Sequence, residues 1–177
     1  MQAFKSPHYF GAWFSHAGDR METRRNLESH VQSVMSDPLG KLEVRGDGPH
    51  WLGKSPLHLS YSHSESRVLL VYSETTELGV DIEPKARKTQ QDPMKIAERF
   101  FHENEIKALK SFAENSELQT RHFLELWTQK EAYGKLTRLG LKDSIHLEIA
   151  SLSNVNFESL ESPDSDFIAT LATYRSK

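Results

Sequence analysis

The chain has 177 residues, a hydrophobic share of 37%, a charged share of 27%, a formal net charge of −3 and no cysteine. That length allows one sizeable domain or two small packed halves, and the composition is that of a chain with a buried core. The missing cysteine excludes disulfides, thiolate metal sites and thiol nucleophiles, so any metal has to be held by oxygen or nitrogen.

The acidic balance argues against general nucleic-acid binding, although residues 85–142 carry 12 Lys/Arg against 8 Asp/Glu, a local basic excess suited to an acidic partner. The start, MQAFKSPHYFGAW, has no charged region leading into an apolar run. No segment approaches the roughly 20 apolar residues that span a bilayer. The expectation is a cytoplasmic protein that binds neither nucleic acid nor membrane.

In chain order, Asp19 caps a helix that carries Leu27, Val31 and Val34 and stops at Asp37-Pro38 and Gly40, with Arg20, Arg24 and Arg25 in its first turns. After a turn at Gly46-Asp47-Gly48-Pro49, the stretches Leu57–Tyr61 and Arg67–Tyr72 read as strands joined by the polar loop Ser62–Ser66. Leu78–Glu83 alternates as a strand, with Val80 and Ile82 on one face, Asp81 and Glu83 on the other, and Pro84 as its stop. Asp92-Pro93 opens a helix with Ile96, Ala97, Phe100 and Phe101 on its apolar side. A second helical segment follows from Glu103, and a third runs from about Thr120 to Leu139, stopped by Gly140. The tail returns to strand patterns at Ile145–Ile149 and Phe167–Tyr174, which makes the class α+β. The element order hints at two related α+β halves meeting near Thr75–Leu78, without a sequence repeat between them.

Asp81 and Glu83, two apart on a strand, have Cα atoms about 7 Å apart on one face, close enough for both carboxylates to reach one cation. A solvated edge strand would look the same. In Trp127-Thr128-Gln129-Lys130-Glu131-Ala132-Tyr133-Gly134-Lys135, Glu131 and Lys135 are one helical turn apart, as in an ordinary surface ion pair.

Three ordered blocks, Gly79–Pro84, Arg99–Glu105 and Trp127–Lys135, resemble the signature blocks of the 4′-phosphopantetheinyl transferases of the surfactin-synthetase-activating type. Gly53-Lys54-Ser55-Pro56 and Ser62-His63-Ser64 are similar to two further stretches of that family, so the resemblance covers about residues 50–142. It departs at the inserted Ser55 and at His102, which stands where a better helix cap, Ser or Thr, is common.

The resemblance implies an α+β pseudo-dimer of two similar halves, here 1–77 and 78–177, around a cleft that binds coenzyme A. It implies transfer of the phosphopantetheine arm to a serine of an apo acyl- or peptidyl-carrier protein, with Mg²⁺ or Mn²⁺ held by Asp81, Glu83 and Glu131. By the same resemblance Lys54, Ser62, His63, Lys130 and Lys135 contact coenzyme A, and Lys135 is a candidate proton donor. Glu105 or Glu131 takes the serine proton. A monomer is expected, since the pseudo-dimer is internal. The competing readings are another Mg²⁺-dependent phosphoryl-transfer enzyme and a non-catalytic carrier- or coenzyme-A-binding module.

Overall fold

The computed structural model describes residues 1–16, 18–64, 66–86 and 92–175. Strands β1 (Gln2–Lys5) and β2 (Phe10–Ser15) precede helix α1 (Arg20–Val34). The start of α1 is set by Asp19, whose carboxylate accepts the Met21 N–H at 2.8 Å. A separate hairpin, β3 (Lys41–Arg45) and β4 (Gly48–Leu52), turns at Gly48 with φ of 124°, a conformation that favours glycine.

Strands β5 (His58–Ser64) and β6 (Arg67–Ser73) complete a four-stranded antiparallel sheet in the order β1-β2-β6-β5. Strand β7 (Leu78–Pro84) opens a second sheet of order β7-β9-β8 with β8 (Val155–Ser159) and β9 (Phe167–Tyr174). Between β7 and β8 lie α2 (Pro93–Phe100), α3 (Glu103–Lys110), α4 (Ser116–Leu136) and the short α5 (Leu141–Ser144).

Near-continuous apolar runs, such as Val68–Tyr72 of β6, give the sheets two packed faces. Trp13, Leu69 and Val71 of the first sheet meet Val80, Ile82, Ala169 and Leu171 of the second in one buried cluster. The first sheet's other face, with Val68 and Leu70, is covered by Leu27 and Val31 of α1. On the outer side of the second sheet, Ala132 and Leu136 of α4 pack on Val155 and Ala172. Helices α2, α3 and the first half of α4 enclose a further cluster around Phe101, Leu109 and Phe123. Polar links also cross between the sheets: the Tyr9 hydroxyl donates to Glu158 at 2.7 Å, and Arg67 Nε donates to Asp164 at 2.9 Å.

Several elements differ from the sequence reading. The stretch Ile145–Ile149 is not a strand: α5 runs up to Ser144 and a 3₁₀ turn occupies Ile149–Ser151, because the Ile149 N–H is bound by Glu105 at 3.0 Å rather than by a neighbouring strand. Strand β5 runs through Ser64, so Ser62, His63 and Ser64 belong to the sheet and not to a loop. Strands β1 to β4 and β8 were not anticipated. Helix α4 begins at Ser116, because Asn115 accepts the Leu118 N–H at 3.0 Å and caps it. His102 does cap α3: its Nδ1 accepts from Asn104 N–H at 3.4 Å while Glu105 accepts from the His102 N–H at 3.2 Å.

Gly79 sets how closely α4 approaches β7. A Cβ at this position would lie 2.1 Å from the Ala132 carbonyl oxygen and 2.4 Å from the Leu136 nitrogen, both backbone atoms that cannot swing aside. Gly79→Ala is therefore expected to lower stability by about 2–3 kcal/mol in urea unfolding, the upper part of the range for overpacking. A variant as stable as the parent would show that helix and strand can separate at no cost.

Candidate active site

Asp81 lies at the junction of the two sheets. It is only 5% exposed, because β9 flanks β7 on one edge, β5 lies along the other and α4 covers its face. Two serines of β5 bind β7 there: Ser60 Oγ accepts the Val80 N–H at 3.1 Å, and Ser62 Oγ donates to Asp81 Oδ1 at 2.7 Å. Lys135, reaching from α4, donates to the same Oδ1 at 2.8 Å and to the Val80 carbonyl at 2.9 Å. Asp81 Oδ2 is buried and has no hydrogen-bond partner. A half-satisfied buried carboxylate is costly, so this oxygen is an acceptor open to a ligand.

Asp81 opens into a cavity of about 430 Å³ whose lining includes Glu83, Glu131, Lys135, Ser62 and His63. The floor comes from β5 and β7, one wall from α4, and the opposite wall from Asp47, Gly48 and Pro49 of the β3–β4 hairpin. Arg138, at a positive φ of 59° just beyond α4, closes one end by reaching Asp47 at 3.5 Å and His50 at 3.2 Å. Neither Arg138 nor the hairpin tip was found from sequence; the tip read only as a turn. Volume alone does not identify the site. A groove of about 500 Å³ between α4 and β8 is larger, but its Arg121 and Glu125 already pair with each other at 2.9 Å.

The structure thus brings Asp81, Glu83, Glu131, Lys135, Ser62 and His63 to one cavity. It does not bring three other candidates there. Lys54 sits in an exposed turn after β4, held by its backbone N–H to Asp37 at 2.7 Å. Glu105 and Lys130 form a buried ion pair at 2.7 Å, with side chains 7% and 0% exposed, outside the cavity lining. Ser62 lines the cavity, yet its hydroxyl is committed to Asp81. Of the basic residues near the start of α1, Arg24 is tied to the Leu42 carbonyl at 2.8 Å, whereas Arg20 lies close enough to His63 to act on its charge.

Residues 77–171, more than half of the chain, match the sequence profile of the 4′-phosphopantetheinyl transferase superfamily. The chain belongs to this superfamily. It is 41% identical over 85 residues to the 4′-phosphopantetheinyl transferase gsp of Aneurinibacillus migulanus, covering 48% of this chain and 33% of that protein. It is 32% identical over 133 residues to psf-1 of Bacillus pumilus, covering 75% and 54%. Against Sfp of Bacillus subtilis strain 168 it is 32% identical over 117 residues, covering 66% and 49%. The chain thus spans between a third and about a half of the length of these relatives.

The part that matches the transferase superfamily contains Asp81, Glu83, Glu131 and Lys135; Ser62 and His63 come from the strand that precedes it. A divalent cation fits the donor set in this superfamily member. The carboxylates are hard oxygen donors, and Asp81 Oδ2 is the buried oxygen left without a partner. Among the described residues no three acidic or histidine side chains converge into a finished cage. Mg²⁺ combines carboxylate oxygens with phosphate and water oxygens, which is the donor type these side chains supply. No helix among the described residues is long and apolar enough to cross a membrane.

His63 stacks on His16 with ring centroids 5.1 Å apart, and His16 Nδ1 is 2.9 Å from Thr23 Oγ1 at the start of α1. Burial holds the His63 imidazole below its ordinary value of 6.5; the positive charges of His16, Arg20 and Lys135 lower it further, against a smaller opposite effect from Asp81. On acidification the unfolded chain therefore takes up the proton first. The stability linked to His63 is complete above pH 6.5 and declines below it. We expect the NMR titration midpoint of His63 to lie below 6.5 and to move upward in His16→Phe, which keeps a stacked ring but removes its charge. An unchanged midpoint would remove His16 from this account.

Proposed function

We propose that this transferase-superfamily chain moves the 4′-phosphopantetheine group of coenzyme A onto a serine of an apo acyl- or peptidyl-carrier protein, releasing 3′,5′-ADP. The observation that carries this reading is the half-satisfied Asp81 in the floor of a cavity that also presents Glu83, Glu131, Lys135 and His63. The serine oxygen attacks the β-phosphorus, and the bond from that phosphorus to the oxygen bridging to the nucleotide phosphate breaks.

Asp81, Glu83 and Glu131 would hold Mg²⁺ or Mn²⁺. When bound, the cation offsets the charge of the pyrophosphate and of the leaving phosphate. Lys135 holds Asp81 in place and lines the same cavity, so it also serves as the proton donor to the departing oxygen. His63, at the exposed edge of the cavity, donates a hydrogen bond to phosphate. Of the two candidate bases, Glu131 receives the serine proton, because it faces the cavity and Glu105 does not.

The halves 1–77 and 78–177 fit a pseudo-dimer. Each sheet draws its strands from one side of Thr75–Leu78, and each carries a helix on its outer face, α1 or α4. The expected state is a cytoplasmic monomer. The basic stretch after Pro84 would face the acidic carrier, but much of its charge is paired internally: Lys107 with Glu103, Lys110 with Glu98 and Arg121 with Glu125. Arg87 and Lys88 of that stretch lie outside the described residues. The paired acids are already counted in the basic excess of four, so the net charge available for steering stands, while fewer of these cations are free for direct contact with the carrier.

The test is intact-protein mass spectrometry of apo carrier proteins incubated with coenzyme A, Mg²⁺ and the protein, beside an EDTA control. The expected result is a metal-dependent gain of about 340 Da on the carrier, the mass of the group moved in this phosphoryl transfer. Asp81→Ala and Glu131→Ala should each reduce the rate by about two to three orders of magnitude while leaving the fold intact. Normal turnover by either variant would overturn the ligand assignment. Coenzyme A binding with no mass gain on any carrier would favour a binding module, and loss of phosphate from another substrate a different phosphoryl-transfer enzyme.

A further inference from the structure

Lys130 is fully buried and directly precedes Glu131 in α4. Its ammonium lies 2.7 Å from Glu105 Oε2, donates to the Leu147 carbonyl at 2.5 Å and sits 4.8 Å over the centre of the Phe101 ring. Glu105 is equally committed: Oε2 also accepts the His102 N–H at 3.2 Å, and Oε1 accepts the Ile149 N–H at 3.0 Å. At the other end of the same residue, Ser144 Oγ donates to the Lys130 carbonyl at 2.9 Å. The first turn of α3, the turn at residues 147–149 and the middle of α4 therefore meet on one charge pair.

Burial disfavours the charged form of Lys130, and Glu105 counteracts this. Leaving either charge alone in this place is strongly unfavourable. A pair with so many partners does not rotate freely to meet a substrate.

Successive residues of an α-helix point about 100° apart, so a side chain anchored inward at 130 dictates where 131 and 135 point. A rotation of α4 by about 10° would move the tips of Glu131 and Lys135 by about 1 Å, and a misplacement of that size can cost about a hundredfold in rate. We propose that Lys130 and Glu105 are positioning residues: their buried ion pair sets the rotation of α4 and thereby aims Glu131 and Lys135 at the cavity, without touching the reactants. This rests on the transferase reading, and it removes Glu105 as the base and Lys130 as a phosphate ligand.

The test compares the parent with Lys130→Met, Glu105→Gln and the double variant K130M/E105Q, by steady-state transfer and by Mn²⁺ binding followed by electron paramagnetic resonance. Each single change strands a buried charge and is expected to lower kcat at least tenfold, with the KM for coenzyme A within about threefold. The double change removes both charges at similar volume, and it should return kcat and Mn²⁺ affinity to within about threefold of the parent. A folded double variant as impaired as the worse single one would overturn the proposal, since a group acting in the chemistry cannot be rescued by deleting a second one. Single variants with parental kcat would also overturn it. If the double variant does not fold, Glu105→Gln decides alone: the acidic limb of its pH–rate profile survives under the proposal and disappears if Glu105 is the base. Should the parent itself transfer nothing, the transferase reading fails; the Mn²⁺ spectra of the same variants still test the pair, by loss in the single variants and return in the double one.

Discussion

Helix and strand touch backbone to backbone where α4 crosses β7 at Gly79, and everything in the site depends on that contact. It brings Lys135 within 2.8 Å of Asp81, while the serines of β5 approach from the neighbouring sheet. The result is a carboxylate with one oxygen saturated by two donors and the other buried without a partner. A side chain on Gly79 would push the helix outward, and the carboxylate, the ammonium and the cavity between them would separate together.

Two sets of charges meet at α4, one on the helix itself and one shared with α3, and burial distinguishes them. Glu131 and Lys135 face a cavity, where a charge can exchange partners as ligands arrive. Lys130 and Glu105 are sealed inside, where the same types of group act as a fixed joint among three segments. The sequence places Lys130 and Glu131 side by side, and only the direction in which the helix presents them separates a structural cation from a reactive carboxylate.

This explains what was legible beforehand. The alternation of Val80 and Ile82 with Asp81 and Glu83 announces β7 because one face of that strand meets the apolar core between the sheets, while the other carries the carboxylates under α4. The Asp19 and Asp92 caps are local chemistry, visible within a few residues, whereas His102 read as a poorer cap than Ser or Thr and nonetheless caps α3. The burial of Lys130 was not visible, because its partner lies on another helix and a lysine is rarely hidden unless paired. Ile145–Ile149 alternates like a strand, yet Glu105, distant in sequence, takes the backbone N–H that a sheet would need. The hairpin tip at Asp47 joined the site only through its tertiary contact with Arg138. The blocks that resemble the transferase family therefore located the cavity, but they could not tell which of their charged residues face it.

The most direct measurement of the central claim is the binding of Mn²⁺ in the presence of coenzyme A, followed by electron paramagnetic resonance, in the parent and in Asp81→Asn. Asn keeps the shape and an acceptor for Ser62 and Lys135 but removes the negative charge. The account predicts one tightly bound ion in the parent and its loss in the variant, with the thermal transition preserved. Equal binding by both proteins would contradict it, and would place the cation on other residues.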